Sequence, residues 1–210
     1  MRTVFQLVAA LGLWLATTAS AWAAVTITFW SHELGNSFPH AFVTLRGTPD
    51  AGGAPVDGNW GFTAQSITPA ILMGSVAGKI DSLAPGYIRS SDAQFSVVLT
   101  DAQYGDVLRL FEEWGERGDS HYNLNRRNCV TFVQEAARRS GLQTVDFPKL
   151  MKKPRSFLQA VSDANPGQVT VVRTSGAKYL ASLPPLAPTS QTAPSPTAPL
   201  AALPEPVAAF

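Results

Sequence analysis

One cysteine, Cys129, and three histidines, His32, His40 and His121, are the residues of this 210-residue chain best suited to covalent chemistry. A thiolate is the nucleophilic form of cysteine, and imidazole, titrating near neutrality, is the usual base that generates it. Cys129 stands in the run Tyr122-Asn-Leu-Asn-Arg-Arg-Asn-Cys-Val-Thr-Phe-Val-Gln-Glu-Ala-Ala-Arg-Arg-Ser-Gly141. Val130, Phe132, Val133, Ala136 and Ala137 recur there at helical spacing, Asn128 is a favoured N-cap type, and Gly141 is a favoured stop. The spacing predicts a helix that Cys129 opens, where unpaired backbone N–H groups and the positive end of the dipole favour the thiolate. Those N–H groups, including that of Cys129, would also face the oxyanion formed when the sulfur attacks a carbonyl.

His40 is the best-placed base, because it lies at the mouth of a strand in Ser37-Phe-Pro-His-Ala-Phe-Val-Thr-Leu-Arg46, and a sheet holds an imidazole still. His121 sits in a polar loop, placed to be solvated or to line the cleft. His32, in Ser31-His-Glu-Leu-Gly-Asn36, can approach the same end of the sheet. A metal site drawn from His32, Glu33, His40, His121 and Cys129 matches no zinc spacing and has no helix-face pair four residues apart, so no metal or other cofactor is expected. Tyr122, Asn128, Arg126 and Arg127, beside the thiol, are candidates for lining the cleft or engaging a substrate carboxylate; the two arginines read equally as a solvated turn.

The elements that must carry these residues follow from periodicity. Val25, Ile27 and Phe29 alternate with Thr26, Thr28 and Trp30, a first strand; Ala41, Val43 and Leu45 alternate with His40, Phe42, Thr44 and Arg46, a second. A loop rich in Gly, Pro and Asp, residues 47–58, leads to a third strand over 59–65, and these two form a hairpin. Pro69 can start a short helix to about Val76 with Thr68 as its cap. Phe95, Val97 and Leu99 read as a strand. Thr100-Asp101-Ala102-Gln103 has the form of a capping box ahead of Tyr104, Val107, Leu108, Phe111 and Trp114, an amphipathic helix. After the Cys129 helix, a basic connection over 149–154 precedes a short helix near 156–162 and a closing strand over 169–172. The fold class is α+β, helices packed against a largely antiparallel sheet.

Residues 1–23 read as a secretory signal: Arg2 supplies the positive start, Val4 to Ala16 the apolar run, and Ala21-Trp22-Ala23 the small-x-small cleavage site. The mature chain would begin at Ala24 and reside in the periplasm or outside the cell, with no transmembrane segment, since the apolar run is too short to span a bilayer. From residue 182 to 210 the chain carries eight prolines and one charge, Glu205, and is expected to be an extended, disordered, partly polyproline-like tail. The domain between, 24–181, is long enough for one core, and the mature chain is expected to be a monomer. Loss of Arg2 takes the formal charge from +1 to about zero, so neither nucleic acid nor an anionic membrane is favoured by net charge. An exported chain with a single cysteine can form no internal disulfide, which raises the value of the thiol as a functional group.

The order of a strand-borne His before a helix-borne Asn-Cys resembles the circularly permuted papain-like superfamily. The resemblance rests on Pro39-His40-Ala-Phe-Val-Thr-Leu45 at the first core strand and Asn128-Cys129-Val-Thr-Phe-Val133 at the catalytic helix, and spans roughly residues 29–141. That group holds thiol peptidases and amidases related to NlpC-type cell-wall enzymes, and acyltransferases of the lecithin-retinol acyltransferase type. The resemblance implies that Cys129 is the nucleophile, that His40 is the base, and that a third polar residue on the next strand orients His40. Folding the hairpin about residue 52 puts 63–65 opposite His40, which leaves Gln65 or Thr63 for that role, with Asn59 if the loop is asymmetric. No His, Asp or Glu stands on that strand.

With the expected export, the resemblance implies an exported cysteine hydrolase that would cleave an amide bond, in a peptide or cell-wall peptide, through a thioester. An acyltransferase with a lipid or lipoprotein donor shares the first half-reaction. A papain-like scaffold kept for binding, with the tail as an interaction arm, is the non-enzymatic alternative.

Overall fold

The computed structural model describes residues 24–33, 38–144 and 148–186. The leader expected over 1–23 and the tail beyond 186 lie outside the described residues. In chain order the first half holds β1 (Val25–His32), β2 (His40–Gly47), β3 (Val56–Ala64), α1 (Ala70–Met73), β4 (Ser75–Asp81), α2 (Pro85–Arg89) and β5 (Asp92–Leu99). The second holds α3 (Asp101–Trp114), β6 (His121–Asn123), α4 (Cys129–Arg139), a 3-10 turn (Pro148–Leu150), α5 (Pro154–Ala164), β7 (Thr170–Ser175) and α6 (Gly176–Ser182).

The seven strands form one sheet in the order β6-β4-β3-β2-β1-β5-β7. Every neighbouring pair is antiparallel, so the chain is an α+β protein built on an antiparallel sheet. Alternation divides the sheet into two faces. On one, Ile27, Phe29, Ala41, Val43, Leu45, Phe95 and Val97 pack with α3, α4 and α5 through Leu110, Phe132, Val133, Phe157 and Leu158. Each such large side chain, when fully buried, contributes roughly 1.5–3 kcal/mol. On the other, Trp30, Phe42 and Ala93 meet Ile88 and Tyr87 of α2 and Tyr179 of α6.

The β2–β3 hairpin pairs Val43 with Trp60 and Gly47 with Val56. Thr100 and Gln103 form the capping box that starts α3. Where local pattern and structure part, tertiary pairing is the reason. The helix expected from Pro69 to Val76 is only α1, with no Thr68 side-chain cap, because the chain from Ser75 onward pairs with β3 and β6 as β4. The short helix expected over 156–162 runs from Pro154, a favoured first residue, to Ala164. The closing strand is displaced to Thr170–Ser175, where it pairs with β5. Helix α2, strand β6 and helix α6 were not foreseen in the pattern. The domain also passes the expected limit at 181: Ser182 ends α6, and the Pro184 carbonyl accepts a 2.9 Å hydrogen bond from Arg46 Nη2. Among the described residues no helix is long and apolar enough to cross a membrane.

Candidate active site

Cys129 is the first residue of α4, and the local sequence explains why the helix starts there. Asn128 has extended backbone, and its Oδ1 accepts from the Val130 and Thr131 N–H groups at 2.8 and 3.1 Å. Thr131 Oγ1 accepts in return from the Asn128 N–H at 2.7 Å. Asn128 Nδ2 donates to the carbonyls of Leu124 and Met151 at 2.9 and 3.0 Å, tying the preceding loop and the segment after the 3-10 turn to the helix end. Asn128 is therefore a buried structural anchor beside the thiol. With the Val130 and Thr131 N–H groups held by the cap, the Cys129 N–H lies at the helix end beside the thiol.

The thiol is buried, and burial pushes it up to about 11, against the opposing pull of the Ala41, Cys129 and Val130 N–H groups. Sequence position pointed to a stabilised thiolate; here desolvation outweighs the helix end, so the resting sulfur is protonated. Burial, then the neighbouring His32, lowers His40 to about 4, while Asp81 opposes them. The imidazole is therefore neutral at pH 7, and burial disfavours its protonated form.

Cys129 and His40 line one cavity of about 690 Å³ at the end of the sheet, with Thr63, Asp81, Tyr122, Asn128 and Lys152. They approach it from different sides. Cys129 belongs to the helix-packed core, with Ala41 and Val43, whereas the His40 ring stacks on Phe42, 6.2 Å between centroids, on the opposite face of β2. No hydrogen bond joins the two side chains.

Asp81 is the site residue that sequence reasoning missed. It pairs with Gly61 across β3–β4, and a Cβ on Gly61 would stand 2.6 Å from His40 Nε2. Glycine at 61 thus lets the imidazole lie over β3, toward the carboxylate one strand further on. Glycine inside a strand is the sequence signal for such a close approach. The helix expected to about Val76 overlaps only the first two residues of β4, and no strand is expected over the rest, which hid Asp81. Asp81 also pairs with Lys79 at 2.9 Å.

Of the candidates for the third residue, Thr63 lines the cavity; counting on from Val43↔Trp60, it falls level with His40. Gln65 is exposed and lies outside the cavity lining. Asn59 pairs with Thr44 and binds the Leu83 N–H and carbonyl, a structural duty away from this cavity. Tyr122 lines the cavity, its hydroxyl pushed up by burial and by Cys129. Arg127 lies outside it: its guanidinium sits 3.6 Å from the Trp114 ring centroid and donates to the Asp119 carbonyl. Arg126 is an exposed turn residue, its N–H bonded to the Asn123 carbonyl. His121 is exposed and paired with Asp119 at 2.9 Å. His32 sits directly opposite His40 on β1, stacked on Tyr87 at 4.2 Å and bonded to Ser91 at 3.0 Å. Among the described residues no three His, Cys, Asp or Glu side chains are grouped to hold a metal ion.

Comparison of the chain with protein-family models, curated proteins and solved structures finds no match.

Proposed function

We propose that this chain is an exported thiol hydrolase of the circularly permuted papain-like kind, cleaving an amide bond in a peptide or cell-wall peptide through a thioester on Cys129. The observation that carries the reading is the shared cavity: a buried thiol at a helix start and a neutral imidazole open onto one space. On substrate binding the imidazole of His40 takes the thiol proton as the sulfur attacks the carbonyl carbon. The Cys129 N–H faces the resulting oxyanion. The C–N bond then breaks, the amine leaves with the proton from the imidazolium, and an acyl thioester remains. Water, giving a proton to His40, attacks the thioester; the acid departs and the thiol takes the proton back. Asp81 offsets the positive charge that His40 carries between these steps. Contact between base and nucleophile is made in the substrate complex, a common arrangement where the empty site is loose.

A lipid acyl donor is the second reading, favoured by the apolar side chains Ile67, Leu72, Leu124 and Met151 in the cavity wall. One experiment separates the two. Cell-wall digests and phospholipids are each incubated with the chain, and products and the mass of Cys129 are read by mass spectrometry. New amide-cleavage products, lost at least about 10³-fold in Cys129→Ala, are expected. Equal products from Cys129→Ala overturn the thiol mechanism, and a fatty acyl mass on Cys129 from phospholipid selects the lipid donor.

A further inference from the structure

The mouth of the Cys129 cavity carries an apolar rim. Phe38, Ile67 and Leu72 line it at 68%, 66% and 75% exposure, and Met73, beside Leu72 on α1, is 89% exposed. Four of the seven large apolar side chains exposed among the described residues are therefore gathered at one opening. Helix α1 buries none of its residues, and among the described residues nothing covers Leu72 and Met73. Lys152 lines the same cavity, as do Met151 and Pro154, and its chain neighbours Lys149 and Lys153 are exposed with it. None of the three lysines has an acidic partner among the described residues, whereas Lys79 and Arg155 nearby are paired with Asp81 and with Glu33 and Asp92.

We propose that this mouth docks on the surface of an anionic lipid bilayer, with Phe38, Ile67, Leu72 and Met73 entering below the headgroups and Lys149, Lys152 and Lys153 against the phosphates. Apolar side chains flanked by unpaired ammonium groups suit the bilayer boundary, where one set leaves water and the other meets negative charge. The near-zero net charge of the mature chain does not oppose this, because charges beyond about a Debye length of 8 Å are screened and the local cluster decides. Docking would set the cavity opening against the membrane surface.

The inference is independent of the thiol chemistry, so it is tested in the Cys129→Ala chain from Ala24 to Phe210. The measurement is co-sedimentation with vesicles of phosphatidylcholine alone and with added phosphatidylglycerol. Binding to the anionic vesicles is expected, weakened by salt, at least about tenfold by Leu72→Asp with Met73→Asp, and about fivefold for each lysine changed to Gln. These side chains are exposed, so an unchanged melting temperature verifies the fold. No sedimentation with any vesicle overturns the proposal, as does sedimentation that the rim variant leaves intact. Concentration-dependent dimerisation in light scattering that the rim variant abolishes also overturns it, assigning the rim to a second copy.

Discussion

Two openings border the sheet, and they differ in what their polar groups are doing. The groove bordered by α6 has a volume of about 450 Å³ and is lined by Thr26, Thr28, Thr44, Arg46 and Tyr179. Its groups are satisfied: Thr28 and Tyr179 share a 3.0 Å hydrogen bond, Thr44 accepts from the Trp30 indole at 3.0 Å, and Arg46 is held by Asp57 and the Pro184 carbonyl. The Cys129 cavity instead holds a thiol and an imidazole that burial keeps uncharged, at about 11 and about 4. The first opening is finished structure. The second holds two buried titratable groups with shifted pKa values, which marks a candidate functional site better than volume does.

The largest test of this contrast is to remove the acceptor. His40→Gln is expected to lower turnover about 10²–10⁴-fold, while Thr44→Val in the other groove leaves it within about twofold, both read as kcat/KM on the substrate found for the parent chain. Equal effects from the two would erase the distinction between the openings. A smaller but sharper test is Gly61→Ala. The added methyl would stand 2.6 Å from His40 Nε2 and 3.2 Å from Phe42 Cβ, so the imidazole must move. Turnover should fall about tenfold or more, with a stability loss of about 1–3 kcal/mol by denaturant titration. A variant that keeps full activity would show that His40 need not lie over β3.

A third test is stability against pH, read without any substrate. The His40 imidazole is held below its ordinary 6.5, at about 4, in the folded protein. The unfolded chain therefore binds a proton before the folded one does. Its contribution to stability is present above about pH 6.5 and is lost as pH falls toward about 4. The melting temperature of the parent chain should drop across that window, and His40→Gln should drop less. Parallel curves would show that His40 is not the buried base described here.

Local sequence carried much of this arrangement. An Asn that can cap, followed by Cys and an apolar helical repeat, is enough to put Cys129 at the first position of α4, because capping is settled within one turn of chain. Alternation was enough to place His40 at the mouth of β2 and to pair β2 with β3, because strand faces and hairpin register are short-range matters. The exposed apolar rim was hidden for a related reason: net charge averages over the whole chain, while Lys152 and Leu72, 80 residues apart, come to line one cavity only through the fold.

The rest was decided by contacts distant in sequence. That Asp81 stands beyond Gly61 depends on β4 joining β3, and a four-residue helix just before it masked that strand. Whether Cys129 rests as thiol or thiolate depends on how much of the protein closes over it, a desolvation cost no local motif encodes. The sequence by itself determined that His40 begins β2 and Cys129 begins α4. Tertiary structure decided their protonation, the faces from which they meet, and the carboxylate that stands behind the base, since burial and cross-sheet neighbours exist only once the chain has folded.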